Sequence, residues 1–124
     1  MSAFPYRKAH FIGIGGVGMS ATAFLLRDAG VAVTGSDEAV YPPISEVLAA
    51  ERLDYRTPYA SANIPVGVDL IVIGKNAKLV PETNAEVREA FARHERGEAK
   101  ILSFADVLGL LSKGKQAKIG RAHV

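Results

Sequence analysis

Cysteine is absent from the 124 residues of this chain. A disulfide framework and a thiolate metal site are therefore both excluded. Long apolar runs are missing as well, because no stretch approaches the roughly 20 apolar residues that a membrane-spanning helix requires. Met1 to Lys8 carry a proline and two basic side chains ahead of a short apolar run, which is not the pattern of a signal peptide. We therefore expect a soluble, cytoplasmic domain with no membrane partner.

A strong excess of charge of one sign is also lacking, since the formal net charge is only +2. Much of that excess lies in one late stretch, at Lys113, Lys115, Lys118 and Arg121. The stretch has no interleaved aromatic residues, and binding to a phosphate backbone normally needs a denser basic footprint. We interpret residues 113–124 as a solvated basic tail and expect no nucleic-acid partner.

Short apolar segments alternate along the chain with segments of helical periodicity. This alternation predicts an α/β fold with a parallel sheet covered on both faces. The predicted strands are Ala9–Ile14, Val31–Thr34, Asp54–Thr57, Val68–Ile73 and Lys100–Leu102. The predicted helices are Met19–Ala29, Ile44–Arg52, one within Pro81–Glu95, and Phe104–Leu111 capped by Ser103.

A glycine turn joins the first strand to the first helix, with the sequence Gly13-Ile14-Gly15-Gly16-Val17-Gly18. It fits G-x-G-x-x-G, in which the first glycine permits a tight turn and the second lets the backbone approach a phosphate. The third allows the helix to pack against the strand. The helix N-terminus adds unpaired N–H groups and a partial positive charge, and Ser20 is placed to add a hydroxyl. The pattern predicts a Rossmann-like three-layer domain with a nucleotide phosphate site.

Asp37 ends the second strand, 19 residues beyond Gly18. An acidic residue at this place usually meets a ribose hydroxyl. The alternative is a turn without a ligand, with Asp37 as a cap. The motif alone also leaves open whether the nucleotide is a nicotinamide dinucleotide, bound by a free-standing NAD(P) module. A dehydrogenase would need a second region to bind its substrate.

Four segments, in order and spacing, resemble the Mur ligases. They are His10 to Met19, Thr34 to Asp37, Val40 to Ser45 and Asp69 to Gly74. These ATP-dependent enzymes add amino acids or peptides to UDP-N-acetylmuramic acid in peptidoglycan assembly. The likeness covers residues 1–112 and is strongest to the branches that add L-alanine or recycle a murein tripeptide. Val40 to Ser45 resembles the recycling branch more closely.

The resemblance implies that this domain binds the UDP-sugar rather than NAD. Residues Gly15 to Met19 would contact the phosphates, Ser36 and Asp37 the uridine side, and Gly74 and Asn76 would flank the nucleotide. Tyr59 either packs on the uracil ring or is an ordinary loop tyrosine. Lys75 and Lys78 either neutralise phosphate or are solvated. The UDP-sugar-binding residues expected in all are Gly15, Gly16, Val17, Gly18, Met19, Ser20, Ser36, Asp37, Tyr59, Gly74 and Asn76.

Catalytic and metal-binding constellations are not evident in the sequence. His10 lies in a strand away from the glycine turn, and we expect it to be structural. In the helix within Pro81–Glu95 we expect one face to be buried and one to be solvent-facing. The buried face would hold Val87, Ala90, Phe91 and His94, and the solvent face Glu86, Arg88, Glu89 and Arg93.

The P-loop pattern G-x-x-x-x-G-K-[ST], which would cradle ATP and Mg²⁺, is missing from this chain. The resemblance implies that ATP and Mg²⁺ are bound elsewhere in a full-length ligase, by ATP-binding and C-terminal domains. We therefore expect no cofactor and no catalytic residue here, and no ligase activity from this fragment alone. Ile119 to Val124 matches a translated short-read sequencing adapter, and we hypothesise that the natural reading frame was truncated at or near Lys118 and that adapter sequence follows.

Overall fold

The computed structural model describes the backbone of residues 4–123 and the side chains of residues 4–113. Five strands and four α-helices alternate along the chain. They are β1 (Lys8–Ile12), α1 (Val17–Asp28), β2 (Ala32–Ser36), α2 (Ile44–Ala50), β3 (Asp54–Arg56), β4 (Leu70–Ile73), α3 (Ala85–Glu95), β5 (Lys100–Leu102) and α4 (Phe104–His123), with a 3₁₀ turn at Ser61–Asn63.

The five strands form one parallel sheet in the order β3-β2-β1-β4-β5. The predicted α/β class, the parallel sheet and all five strands are thereby confirmed. β1 lies in the middle, and four of its five residues are buried. A strand covered on both faces must be apolar on both, which explains its nearly continuous apolar run.

Two hydrophobic clusters fill the two faces of the sheet. Alternate residues of β1 and β4, such as Phe11 and Val72, join α1, α2 and α4 in the larger cluster. The intervening residues, such as Ile12 and Ile71, pack with α3 and the segment around Ile64. Helices thus lie on both faces, as the predicted three-layer domain requires.

Phe91 and His94, which are predicted to lie on the buried face of their helix, are instead exposed, as are Leu25 of α1 and Val47 of α2. Leu25 is 40% exposed, Val47 41% and Phe91 38%, whereas the neighbouring Leu26, Leu48 and Ala90 are fully buried. Consecutive residues are about 100° apart around a helix, so only one of each pair faces the sheet.

The last helix is longer than predicted. Ser103 Oγ accepts a hydrogen bond from the Asp106 N–H (3.1 Å), which confirms the predicted cap. The predicted end at Leu111 is wrong, because α4 continues to His123. The added segment contains three lysines and two alanines, which favour helix, together with two glycines, which do not. The predicted solvation of the basic tail concerns side chains that are mostly outside the described residues.

Candidate functional site: a cavity at the carboxyl ends of the central strands

A cavity of about 210 Å³ lies where β1 and β4 end. From β1 the chain runs outward through β2 to β3 and then crosses to β4 on the other side of β1. The strand order therefore reverses between β1 and β4. In open α/β sheets, ligands bind beside the carboxyl ends of strands at such a switch point. The residues that line this cavity are Gly13, Gly16, Gly18, Met19, Asp37, Tyr59, Gly74, Lys75, Asn76, Leu79 and Phe104.

The glycine turn is held in place by backbone hydrogen bonds to the neighbouring strand. The N–H groups of Gly13 and Ile14 both donate to the Ser36 carbonyl, at 2.8 and 2.9 Å. Gly13 has φ of +97°, a left-handed conformation that glycine adopts without strain. The first glycine therefore makes the tight turn that the motif predicts.

The N-terminus of α1 faces this cavity without a side-chain cap. Gly16 is the N-cap residue, this helix end has no side-chain cap hydrogen bond, and the first turn has no acidic residue. The N–H groups of the first helical residues, Val17, Gly18 and Met19, have no acceptor within the helix. Together with the helix dipole they form a backbone donor set suited to an anion such as a phosphate.

The third glycine has a different neighbour from the one its motif predicts. A Cβ atom at Gly18 would lie 2.6 Å from Cε1 of Phe104, the first residue of α4. Gly18 therefore leaves room for an aromatic ring rather than for the strand. Phe104 follows the carboxyl end of β5, so its place at the rim of the sheet was a usable sequence signal.

Asp37 and Tyr59 meet at the side of the cavity nearest β2. Asp37 Oδ2 accepts a hydrogen bond from the Gly15 N–H (2.8 Å), and Oδ1 accepts from the Glu38 N–H (2.8 Å). The Tyr59 hydroxyl donates to Oδ1 at 3.3 Å. Partial burial and the adjacent Asp37 carboxylate raise the pKa of Tyr59 well above its ordinary value. The phenol is thus held protonated, as a hydrogen-bond donor.

The structure brings seven of the predicted site residues together. Those lining the cavity are Gly16, Gly18, Met19, Asp37, Tyr59, Gly74 and Asn76. Lys75, whose role the sequence left open, lines it too, as do Gly13, Leu79 and Phe104.

Four predicted site residues do not line the cavity. Gly15 borders the cavity through its bond to Asp37, and Val17 is 75% exposed. Ser20 is only 5% exposed and donates to the Val17 carbonyl. The Ser36 hydroxyl is fully buried and donates to Glu86, so only its backbone lies near the turn.

Glu86 is the main site-related residue that the sequence analysis placed wrongly. It was expected on the solvent face of its helix, yet it is 0% exposed, as is His10. Glu86 Oε2 accepts hydrogen bonds from His10 Nε2 (2.7 Å) and from the Ser36 hydroxyl. Oε1 accepts from the Ala60 N–H (3.0 Å) and from Asn63 Nδ2 (2.8 Å). These four donors explain how a carboxylate is accommodated inside the domain.

Hydrogen bonding fixes the protonation pattern of this buried cluster. Although burial raises the pKa of Glu86, its hydrogen bonds with His10, Ser36, Ala60 and Asn63 outweigh that effect and lower the pKa below 4.5. An ionised carboxylate only accepts, so His10 carries its proton on Nε2. His10 Nδ1 meets Thr34 Oγ1 at 2.7 Å.

The grouping of serine, histidine and glutamate is not a catalytic triad. In a triad the serine hydroxyl bonds to histidine, whereas Ser36 donates to the carboxylate itself. All three side chains are also buried away from solvent. The expected structural role of His10 agrees with this geometry.

Arg93 was also wrongly expected to face solvent. Its side chain is 14% exposed and donates to the carbonyls of Ile64 and Pro65, as well as to Glu89. It ties α3 to the loop after the 3₁₀ turn. The long aliphatic stem of arginine can be buried while its charged end is paired.

No group of three or more His, Asp or Glu side chains in the part described is arranged to hold a metal ion. No helix there is long and apolar enough to cross a membrane.

Comparison with protein families gives one match that covers most of the chain. The model described as "Mur ligase family, catalytic domain" matches residues 8–116. Among curated proteins, the UDP-N-acetylmuramate–L-alanine ligase of Treponema pallidum is 37% identical over 105 residues, which cover 85% of this chain and 21% of that protein. The enzyme of the same name from Symbiobacterium thermophilum is 34% identical over 117 residues, covering 94% and 23%.

Solved structures give the same result. The UDP-N-acetylmuramate:L-alanyl-γ-D-glutamyl-meso-diaminopimelate ligase of Neisseria meningitides has a TM-score of 0.63 and 31% identity, covering 80% of this chain and 29% of that one. The UDP-N-acetylmuramate–alanine ligase of Thermotoga maritima has a TM-score of 0.65 and 26% identity, covering 82% and 21%. This chain spans about a fifth of the length of the curated relatives it matches.

Proposed function

Since this chain belongs to the Mur ligase family, we propose that it binds UDP-N-acetylmuramic acid as the substrate domain of an ATP-dependent ligase. The observation that carries the proposal is the cavity at the carboxyl ends of β1 and β4, faced by the uncapped N-terminus of α1. The relatives named above are ligases of UDP-N-acetylmuramate, and their names supply the ligand that we assign to this cavity.

The diphosphate is assigned to the glycine turn. Backbone N–H groups of Val17, Gly18 and Met19 would donate to its oxygens, and glycine at position 16 lets the ligand approach the backbone. Lys75 lines the same cavity and would add positive charge there. This donor set recognises phosphate without reading the base.

The uridine is assigned to the side of Asp37 and Tyr59. The Asp37 carboxylate would accept from ribose hydroxyls or from the uracil N–H, and the Tyr59 ring offers an apolar surface on which a base can stack. Gly74 and Asn76 flank the same cavity from the end of β4. Ser36 and Ser20 would contribute only through their backbone, because both hydroxyls are bonded inside the domain.

In the reaction of the family, ATP converts a carboxylate into an acyl phosphate, which an amine then attacks to form an amide. The residues of this chain do not fit ATP or Mg²⁺, since the sequence has no G-x-x-x-x-G-K-[ST] and the described residues have no metal-ligand cluster. We therefore assign substrate binding to this chain, and ATP and Mg²⁺ to further domains of a cytoplasmic ligase. We expect the chain by itself to have no ligase activity.

The amine substrate is the finer part of the proposal. Both L-alanine-adding enzymes and a tripeptide ligase are among the relatives. The likeness of Val40 to Ser45 to the recycling branch makes the tripeptide our prediction. A parent ligase assayed with L-alanine and with the tripeptide would decide between them.

Calorimetric titration of the chain with UDP-N-acetylmuramic acid and, separately, with NAD(H) tests the proposal. We expect saturable binding of the UDP-sugar only. Binding of NAD(H) without a response to the UDP-sugar would overturn the proposal in favour of a dinucleotide module.

A matched pair of variants adds the location of the site. In Gly15→Ala the new Cβ atom would lie 2.8 Å from Asp37 Oδ2, whereas in Gly109→Ala it meets no atom within 4 Å. We expect weaker UDP-sugar binding from the first and wild-type binding from the second. Equal affinities in two folded variants would contradict the assignment of the ligand to the turn.

A further inference from the structure

We propose that Glu86 is a positioning residue for this cavity, holding the two chain segments that carry Asp37 and Tyr59. The proposal rests on the function proposed above, because it concerns the same cavity. Glu86 itself is fully buried and does not line the cavity, so it acts through its neighbours.

The two oxygens of Glu86 hold one segment each. Oε2 accepts from the hydroxyl of Ser36, the last residue of β2, which immediately precedes Asp37. Oε1 accepts from the N–H of Ala60, which immediately follows Tyr59, and from Asn63 a few residues on. One carboxylate at the start of α3 therefore joins the end of β2 to the loop after β3.

The two segments meet again inside the cavity. The Tyr59 hydroxyl donates to Asp37 Oδ1, and Asp37 Oδ2 accepts from the Gly15 N–H of the glycine turn. A displacement of either segment would therefore change the separation of Asp37 and Tyr59 and the position of Asp37 on the turn. This chain of contacts connects a buried carboxylate to the donors around the ligand.

Hydrogen-bond chemistry predicts which substitution at position 86 is tolerated. Glutamine has one acceptor oxygen and one NH₂ group. The Ala60 N–H can only donate, so the glutamine oxygen must face Ala60 and Asn63. His10 and Ser36 can both switch to accepting from NH₂, because imidazole has two tautomers and a hydroxyl can rotate. Glu86→Gln should therefore keep the loop in place, whereas Glu86→Ala releases both segments.

Calorimetry with UDP-N-acetylmuramic acid on the 124-residue chain tests this, at a temperature where circular dichroism shows each variant to be folded. We expect Glu86→Ala to weaken binding by about tenfold or more, and Glu86→Gln to stay within about threefold of wild type. Val87→Ala, at the adjacent and equally buried residue, is the control for lost stability and should bind like wild type. Equal weakening by Glu86→Ala and Val87→Ala would overturn the positioning role.

Asn63→Ala serves if Glu86→Ala does not fold. It removes one donor to Oε1 and leaves Glu86 with three. We expect it to weaken UDP-sugar binding in the same direction but less than Glu86→Ala. Binding of the folded Asn63→Ala variant at the wild-type affinity would count against the proposal.

Amide hydrogen exchange supplies a readout that needs no ligand. In Glu86→Ala or Asn63→Ala the N–H groups of Ala60 and Gly15 should both exchange faster. The Val31 N–H, which bonds to the Leu26 carbonyl, should not change. Faster exchange at Ala60 with an unchanged Gly15 would overturn the proposal. Failure of the wild-type chain to bind the UDP-sugar would instead overturn the proposed function, and exchange at Gly15 would still test Glu86.

Discussion

On the face of the sheet covered by α1 and α4, β1 and β4 present apolar residues such as Phe11 and Val72. On the face covered by α3, polar residues of β1 and β2 interrupt the apolar cluster: His10 and Ser36 bond to the Glu86 carboxylate, and Thr34 bonds to His10. Apolar packing is non-directional and tolerates exchanges that conserve volume. A buried carboxylate demands donors at fixed positions.

This difference corresponds to the two sides of the cavity. The apolar face carries α1, whose backbone N–H groups are assigned to the diphosphate. The polar face lies beneath Asp37 and Tyr59, which are assigned to the uridine. We infer that phosphate recognition depends mainly on backbone geometry, with added charge from Lys75, whereas the uridine side depends on a side-chain network.

The largest expected effect is on the polar face. Glu86→Ala leaves four buried donors without their acceptor, and each unsatisfied buried donor costs about 1 to 3 kcal/mol of unfolding free energy. Glu89→Ala is the matched control, because Glu89 is a carboxylate on the same helix with a 29% exposed side chain, paired with Arg93. Its removal should cost about 1 kcal/mol or less. Urea unfolding measures both, and equal losses would remove the distinction between the two sites.

Acid should weaken the polar face next. The pKa of Glu86 is lowered in the folded chain, so its contribution to stability is complete above pH 4.5 and is lost as pH falls through the folded-state pKa. Wild type should therefore lose unfolding free energy below pH 4.5 more steeply than Glu86→Gln. Both proteins keep His10 and Tyr59, the titratable groups that face position 86, and the Glu86 carboxylate is the titratable group that the substitution removes. Parallel pH profiles in urea unfolding would contradict this assignment.

A smaller effect is expected where the apolar face meets the cavity. In Gly18→Ala the new methyl group would lie 2.6 Å from the Phe104 ring, so the ring must move. Overpacking of this kind costs about 1 to 3 kcal/mol. Gly109→Ala, in the same helix as Phe104 and with no atom within 4 Å, should gain about 0.5 to 1 kcal/mol from helix propensity. Thermal unfolding compares the two, and equal midpoints would show that the ring yields without cost.

Local sequence patterns predicted most of the fold and seven of the eleven residues that line the cavity. The strands, the helices and the glycine turn depend on periodicity and spacing over a few residues, so the sequence alone predicts them. The places of Asp37 and Gly74 in the site could also be predicted, because both follow strands whose carboxyl ends meet at the same edge of the sheet.

The burial of Glu86 could not be predicted from the sequence, because its hydrogen-bond partners are distant along the chain. His10 is 76 residues away, Ser36 is 50 and Ala60 is 26. A glutamate in the first turn of a helix ordinarily faces solvent, where its negative charge interacts favourably with the helix dipole. The available signal was His10 itself, since a histidine within a buried strand needs a polar partner.

The smallest expected effect concerns polar contacts at the solvent edge of the apolar face. Arg27 of α1 donates to the Glu51 carbonyl (2.6 Å) and carboxylate (2.7 Å) and lies 5.3 Å from the centroid of the Phe24 ring. Its side chain is 33% exposed and that of Glu51 is 52% exposed, so water and salt screen the pair. Arg27→Ala should cost about 1 kcal/mol or less, and the cost should shrink further at high salt. A salt-independent loss as large as that of Glu86→Ala in urea unfolding would mean that the apolar face also depends on a specific polar contact.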